Sequence, residues 1–202
     1  MGSLRIKGSA LRSPQALQLN PKEDCVMGTM KDSKRKSGRT PFIILTVNDQ
    51  RYELEVGQGE GTLQVSDTLA YTLRETLGLT GTKISCDNGA CGCCTVLING
   101  KAKVSCMTLT AECDGKEIRT IEGLRDPKTG SLDPLQQAFI DYTAFQCGYC
   151  TPGIIMSAKA LLNENPQPTE DEVKEALSGN FCRCISHYQV VKAVIAASEK
   201  MR

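Results

Sequence analysis

The stretch Cys86-Asp-Asn-Gly-Ala-Cys91-Gly-Cys93-Cys94 places four cysteines within nine residues, with glycines between them. Taken as Cys86-x4-Cys91-x2-Cys94, with Cys106 following after eleven intervening residues, it offers four soft thiolate ligands and leaves Cys93 as a neighbour. A second set follows: Cys147-x2-Cys150, then 31 residues, then Cys182-x-Cys184. Eight cysteines in two ordered spacings point to metal binding or redox chemistry. The chain has eleven cysteines, an odd number, and shows no export signal, so a secreted disulfide framework is the poorer reading.

The spacing of the first set is the one plant-type ferredoxins use around a [2Fe–2S] cluster. A loop that wraps such a cluster must come close to it and aim backbone amides at its sulfurs, which help set the reduction potential. Gly89 and Gly92 permit that approach. Structural zinc is the competing reading for both sets, since four thiolates also suit it. Zinc pairs usually recur as C-x2-C knuckles, however, unlike the C-x4-C-x2-C loop or the C-x-C pair here. A thioredoxin-like role for Cys147 and Cys150 lacks the surrounding βαβ pattern. Cys25, Cys93 and Cys113 are left over.

The elements that must position these residues divide the chain in three. Residues 1–41 show no sustained period and read as a basic, extended leader; a start at Met27 or Met30 is equally compatible. From Phe42, "FIILTVNDQRYELEV" reads as a hairpin turning at Asn48-Asp49. "SDTLAYTLRETLG" reads as a helix capped by Ser66 or Asp67, with Leu69, Leu73 and Leu77 on one face and Gly78 as its stop. "TVLINGKAKVSC" is a second hairpin turning at Asn99-Gly100, and "EIRTIEGL" a further short strand or turn. "GQGEG" from Gly57 to Gly61 reads as a plain loop.

Beyond about Leu124 four helices are expected. Asp133 and Pro134 open the first, and Thr151 with Pro152 repeats that device in the second. Thr169 and Glu172 stand in capping-box spacing in a third that ends at Gly179, and Ser186 and Gln189 in the fourth, whose Val190, Val191, Val194 and Ile195 form an apolar stripe. Each cysteine pair of the second set falls at a helix boundary. If both boundaries lie at one end of the bundle, four thiolates meet there, and the dipoles of the helices starting near Thr151 and Ser186 help offset their charge. The expected fold is α+β: a mixed sheet crossed by one helix over residues 42–122, then a small helical bundle over residues 123–202.

Charge excludes some functions. Residues 1–41 carry nine Lys/Arg against three Asp/Glu, leaving fifteen against twenty for the rest. An acidic body behind a basic leader is not a nucleic-acid reader, so "KDSKRKSGR" from Lys31 to Arg39 reads as a solvated segment. No apolar run approaches the length of a membrane span, and with no targeting signal a cytoplasmic protein is expected.

"GLTGTKISCDNGACGCCTVLING", "QCGYCTPGIIMSAKALL" and "GNFCRC" together resemble the small iron–sulfur subunit of the molybdenum hydroxylases, the family of xanthine dehydrogenase, aldehyde oxidoreductase, carbon monoxide dehydrogenase and hydroxybenzoyl-CoA reductase. The likeness runs from about Phe42 to Ser198. It implies a plant-ferredoxin-like β-grasp domain and a four-helix domain, each holding one [2Fe–2S] cluster, through Cys86, Cys91, Cys94 and Cys106 and through Cys147, Cys150, Cys182 and Cys184. It implies a large partner subunit carrying molybdopterin and a medium one carrying FAD, in a heteromeric complex that can pair as a dimer of heterotrimers. The chain would then be an electron-transfer subunit with no catalytic residue of its own, Gln146 facing the pterin and Cys184 near it. A free-standing ferredoxin-like carrier is the alternative. Two departures stand out: after "CRC" the family usually continues Thr-Gly-Tyr, where this chain has Ile185-Ser186-His187, and at Cys93 it usually has alanine or another small residue. His187 reads as an interfacial side chain in place of that tyrosine rather than a ligand.

Overall fold

The structure, a computed structural model, describes residues 41–59 and 62–201. The leader read over residues 1–41, all but Pro41, and the leftover Cys25 lie outside the described residues, as does the end of the "GQGEG" loop.

Strands β1 (Phe42–Val47) and β2 (Gln50–Glu55) form the first hairpin. Asn48 and Asp49 both take positive φ, 51° and 67°, as a two-residue turn matching the strand twist demands. Alternation along β1 sends Ile43, Leu45 and Val47 inward. The second hairpin, β3 (Thr95–Ile98) and β4 (Lys101–Val104), turns at Asn99 and Gly100, again with positive φ. Strand β5 (Glu117–Arg119) lies parallel to β1 and antiparallel to β3, giving the order β2-β1-β5-β3-β4.

Helix α1 (Leu69–Tyr71) runs directly into a π-helical turn, Thr72–Thr76, closed by Leu77 N donating to Thr72 O at 2.9 Å. Its N-cap is Thr68, whose hydroxyl accepts from Tyr71 N at 3.3 Å, not Ser66 or Asp67. Asp67 instead closes the preceding turn, accepting from Gln64 N at 2.8 Å. Leu69 and Leu73 are fully buried against the sheet with Leu45, Val96 and Ile118.

The four expected helices are present: α2 (Pro134–Asp141), α3 (Thr151–Glu164), α4 (Glu170–Ala176) and α5 (His187–Lys200). They enclose a second core built on Leu135, Phe139, Ile154, Val173, Val190 and Val194. Asp133 caps α2, accepting from Leu135 N at 2.9 Å, while Gln136 accepts from Asp133 N at 3.1 Å to complete a capping box. Thr169 and Glu172 form the expected box on α4. Three expectations are corrected. Cys150, not Thr151, is the N-cap of α3, and the buried Thr151 hydroxyl has no hydrogen-bond partner. Ser186 caps α5 by position only, without a side-chain bond, so no box forms with Gln189. Helix α4 stops at Ala176, and the chain turns through Leu177 to Asn180 before the next cysteines.

Helix α3 also covers the second face of the sheet. Strand β3 is buried on both sides, and its Leu97 packs against Met156 and Ala160 of α3. The halves therefore share a packed boundary.

Asp133 also ties α2 to α3, because its Oδ2 pairs with Lys159 Nζ of α3 at 2.7 Å, with both side chains largely buried. Asp133→Ala removes the cap and strands the lysine, and is expected to lower stability by about 2 kcal/mol; Asp133→Asn keeps the cap and loses less. Urea unfolding of the two variants compares them directly.

Candidate metal centre

The first cysteine loop leads from α1 into β3, and hairpin register sets its outcome. Thr95 pairs with Val104 across β3 and β4, so Cys94, just before β3, meets the short 3-10 turn Ser105–Met107 just after β4. There Ser105 Oγ donates to Cys94 O at 2.6 Å and Cys106 N donates to Cys94 Sγ at 3.5 Å. The eleven-residue gap is the length of that hairpin plus its flanks. Upstream the loop coils tightly, with positive φ at Asp87, Gly89 and Gly92. The Asn88 amide, the Cys91 thiol and the amides of Cys91 and Ala90 all stabilise the Cys86 thiolate, bringing its pKa down to about 7. Burial, and then its bond to Cys94, pushes Cys106 up to about 12.

The second set is assembled by the helices. Cys147 and Cys150 join α2 to α3, Cys182 and Cys184 join α4 to α5, and both connections emerge at the same end. Cys147 and Cys184 are exposed, with their sulfurs 3.9 Å apart. Cys150 is buried and bonded to Cys182; burial first, then that bond, pushes it up to about 12. Burial also opposes ionisation of Cys182, but the Cys150 thiol and the amides of Ile185 and Cys184 outweigh it and hold the thiol below its ordinary value.

The thiols lie close in pairs, Cys86 by Cys91 and Cys94 by Cys106 in the first set, Cys147 by Cys184 and Cys150 by Cys182 in the second, with Cys93 also touching Cys91. Cys184 Sγ lies within hydrogen-bonding distance of Cys147 Sγ at 3.9 Å, and binding a metal at such a pair displaces the thiol protons. Two thiolates on each of two irons is what a [2Fe–2S] cluster requires, whereas a single zinc ion gathers four around one point. None of the ten described cysteines is in a disulfide. The donors fit two binuclear clusters, with backbone amides already aimed at the sulfurs.

Comparison with known proteins agrees. Residues 46–140 match a family described as a 2Fe-2S iron-sulfur cluster binding domain, and residues 120–195 one described as a [2Fe-2S] binding domain. The chain is 50% identical over 147 residues to the nicotine 6-hydroxylase small subunit of Paenarthrobacter nicotinovorans, covering 72% of this chain and 87% of that one. It is 41% identical over 175 residues to the aldehyde oxidoreductase iron-sulfur-binding subunit PaoA of Escherichia coli K12, covering 79% and 72%. Quinoline 2-oxidoreductase from Pseudomonas putida 86 superposes with a TM-score of 0.72 at 39% identity, over 80% of this chain and 96% of that chain. The chain belongs to the small iron–sulfur subunits of the molybdenum hydroxylases.

The small subunit is therefore an electron-transfer component of a molybdenum-dependent oxidoreductase, and the free-standing carrier is set aside. Gln146 lies exposed beside exposed Cys147. His187 is exposed at the start of α5, in a shallow groove with Glu170, Lys174 and Tyr188. Ile185 is buried in the helical core. Cys113 is fully buried in the sheet core. Cys93 is buried in the helical core beside Cys150 and Ile154, and its thiol also contacts Cys91. No helix among the described residues is long and apolar enough to cross a membrane.

Sequence reasoning missed the seam between the two loops. Phe181 N donates to Cys91 O at 2.9 Å, Asn180 Nδ2 to Gly92 O at 3.1 Å, and the Tyr149 hydroxyl to Ile84 O at 2.6 Å. No local pattern announces pairings across such sequence distances. Gly153 leaves one trace, since glycine is disfavoured inside a helix.

Proposed function

We propose that the small subunit relays electrons between the molybdopterin site of a large subunit and the FAD of a medium subunit, in the cytoplasm. Cys86, Cys91, Cys94 and Cys106 hold one [2Fe–2S] cluster in a β-grasp domain spanning residues 42–122. Cys147, Cys150, Cys182 and Cys184 hold the other in a four-helix domain spanning residues 123–202. When bound, these clusters supply one-electron storage; the chain contributes ligands, amide dipoles and spacing, and no catalytic group. The meeting of Cys94 with Cys106 across the β3–β4 hairpin, and of Cys147 with Cys184 at one end of the helices, is the observation that carries this reading.

Surface chemistry supports the direction of docking. Exposed Cys147 and Cys184 are flanked by Phe181, 73% exposed, and by Tyr149, an apolar rim suited to the large subunit, with Gln146 turned to the pterin. On the sheet side Met107, 61% exposed, and Tyr71 lie at the mouth of the first loop and suit the medium subunit.

Purified full-length chain is expected to hold about four iron and four acid-labile sulfide. Zinc without sulfide would overturn the ligand assignment. Co-purification with a large molybdopterin-binding chain tests the partner assignment separately.

A further inference from the structure

The two cysteine loops come from opposite halves of the chain, yet their backbones touch. A Cβ at Gly153 would lie 2.2 Å from Gly92 O, and one at Gly92 would lie 2.5 Å from Gly179 O. Glycine at both positions lets the loops meet main chain to main chain. The Phe181 amide, one residue before Cys182, donates to the carbonyl of Cys91 itself. A single hydrogen bond therefore joins the backbones that carry a cysteine of each set.

Two side chains hold that contact from either side. Asn180 follows the turn that ends α4, where an asparagine ordinarily shows its amide to water. Here it is only 6% exposed and reaches 88 positions back to Gly92 O, a carbonyl that also accepts from Thr95 Oγ1 at 2.8 Å. A buried amide deprived of its partner is unfavourable, so this bond fixes where the loop can sit. Tyr149, between Cys147 and Cys150, has a half-exposed ring whose hydroxyl water could satisfy. It points instead at Ile84 O, two residues before Cys86.

We propose that Asn180 and Tyr149 are positioning residues for electron transfer between the two cysteine sets: they hold the Cys91–Phe181 contact closed and fix the separation of the sets. This rests on the two-cluster reading above. Neither side chain belongs to a thiol pair, so each can be changed without removing a ligand.

The test uses the full-length chain carrying its clusters, with Asn180→Ala, Tyr149→Phe and, as a control, Lys174→Ala, whose exposed pair with Asp171 lies on α4. Iron and sulfide are counted first; a wild-type chain lacking them overturns the two-cluster reading and leaves the seam geometry to be judged by exchange alone. All variants are expected to keep wild-type iron. In the fully reduced state the magnetic interaction between the clusters, read by EPR, is expected to weaken in N180A and Y149F and to stay unchanged in K174A. Exchange of the Phe181 amide with deuterium is expected to quicken by about tenfold in N180A. Wild-type magnetic interaction and wild-type Phe181 exchange in iron-replete variants would overturn the proposal. Should N180A lose iron, Y149F, which lacks one hydroxyl, decides alone by the same two readings.

Discussion

Cys94→Ala is expected to yield a chain holding about two iron atoms in place of four, with one [2Fe–2S] EPR signal lost, while Cys93→Ala keeps both signals. The two cysteines are adjacent, and the structure separates them by what they face. Cys94 is bonded to Cys106, and its sulfur accepts from the Cys106 amide at 3.5 Å, so its loss leaves the last ligand without a pair. Cys93 packs in the helical core with Cys150 and Ile154. Burial first, and then the contact with Cys91, pushes its thiol up to about 12, as burial also does for the proposed ligands Cys106 and Cys150, so what sets Cys93 apart from Cys94 is its packing in the helical core. Truncation to alanine leaves a small void and is expected to lower stability by about 1 kcal/mol. Iron analysis with EPR of the two variants is the measurement; an undiminished signal in Cys94→Ala would reverse the assignment.

Gly153→Ala is expected to destabilise the whole protein by about 3 kcal/mol, lowering Tm by roughly 6–12 °C for a chain of this size. One added methyl does this because of what it meets. Its Cβ would lie 2.2 Å from Gly92 O and 2.8 Å from Cys93 O, backbone atoms of the cluster loop that have no rotamer to move into. Either α3 lifts away from the loop, opening both the seam and the contact of Leu97 with Met156, or the loop shifts and the first thiol pairs separate. Gly179→Ala is the matched control. It stands at the same seam but its Cβ would meet nothing within 4 Å, and its expected effect lies within about 0.5 kcal/mol of zero. Thermal unfolding of both variants compares them; equal Tm values would show that the close approach of α3 to the loop is dispensable.

Much of the fold is legible in the sequence because its signals are local. Asn48-Asp49 and Asn99-Gly100 mark both hairpins, since few residues accept positive φ. Asp133-Pro134 and Thr169 with Glu172 mark two helix starts through caps that act within one turn. The differences fall at ends where several polar residues compete. Ser66, Asp67 and Thr68 can each cap α1, and Thr68 does so because Asp67 is engaged by Gln64 N. Thr151 is of the right type for a cap, but the turn through Cys147 to Cys150 carries the helix start one residue earlier.

By itself the sequence determined the eight thiols, their division into two spacings, and the glycines that let the first loop coil, because ligand type and loop reach are properties of short segments. Only the tertiary structure decided which thiol pairs with which, that Cys93 turns to the helical core, and that Asn180, Phe181 and Tyr149 draw the two loops together. Those contacts join residues 65 to 90 positions apart. They arise when α3 packs on both the sheet and the helical core, and no local pattern of residues encodes the place where two such surfaces meet.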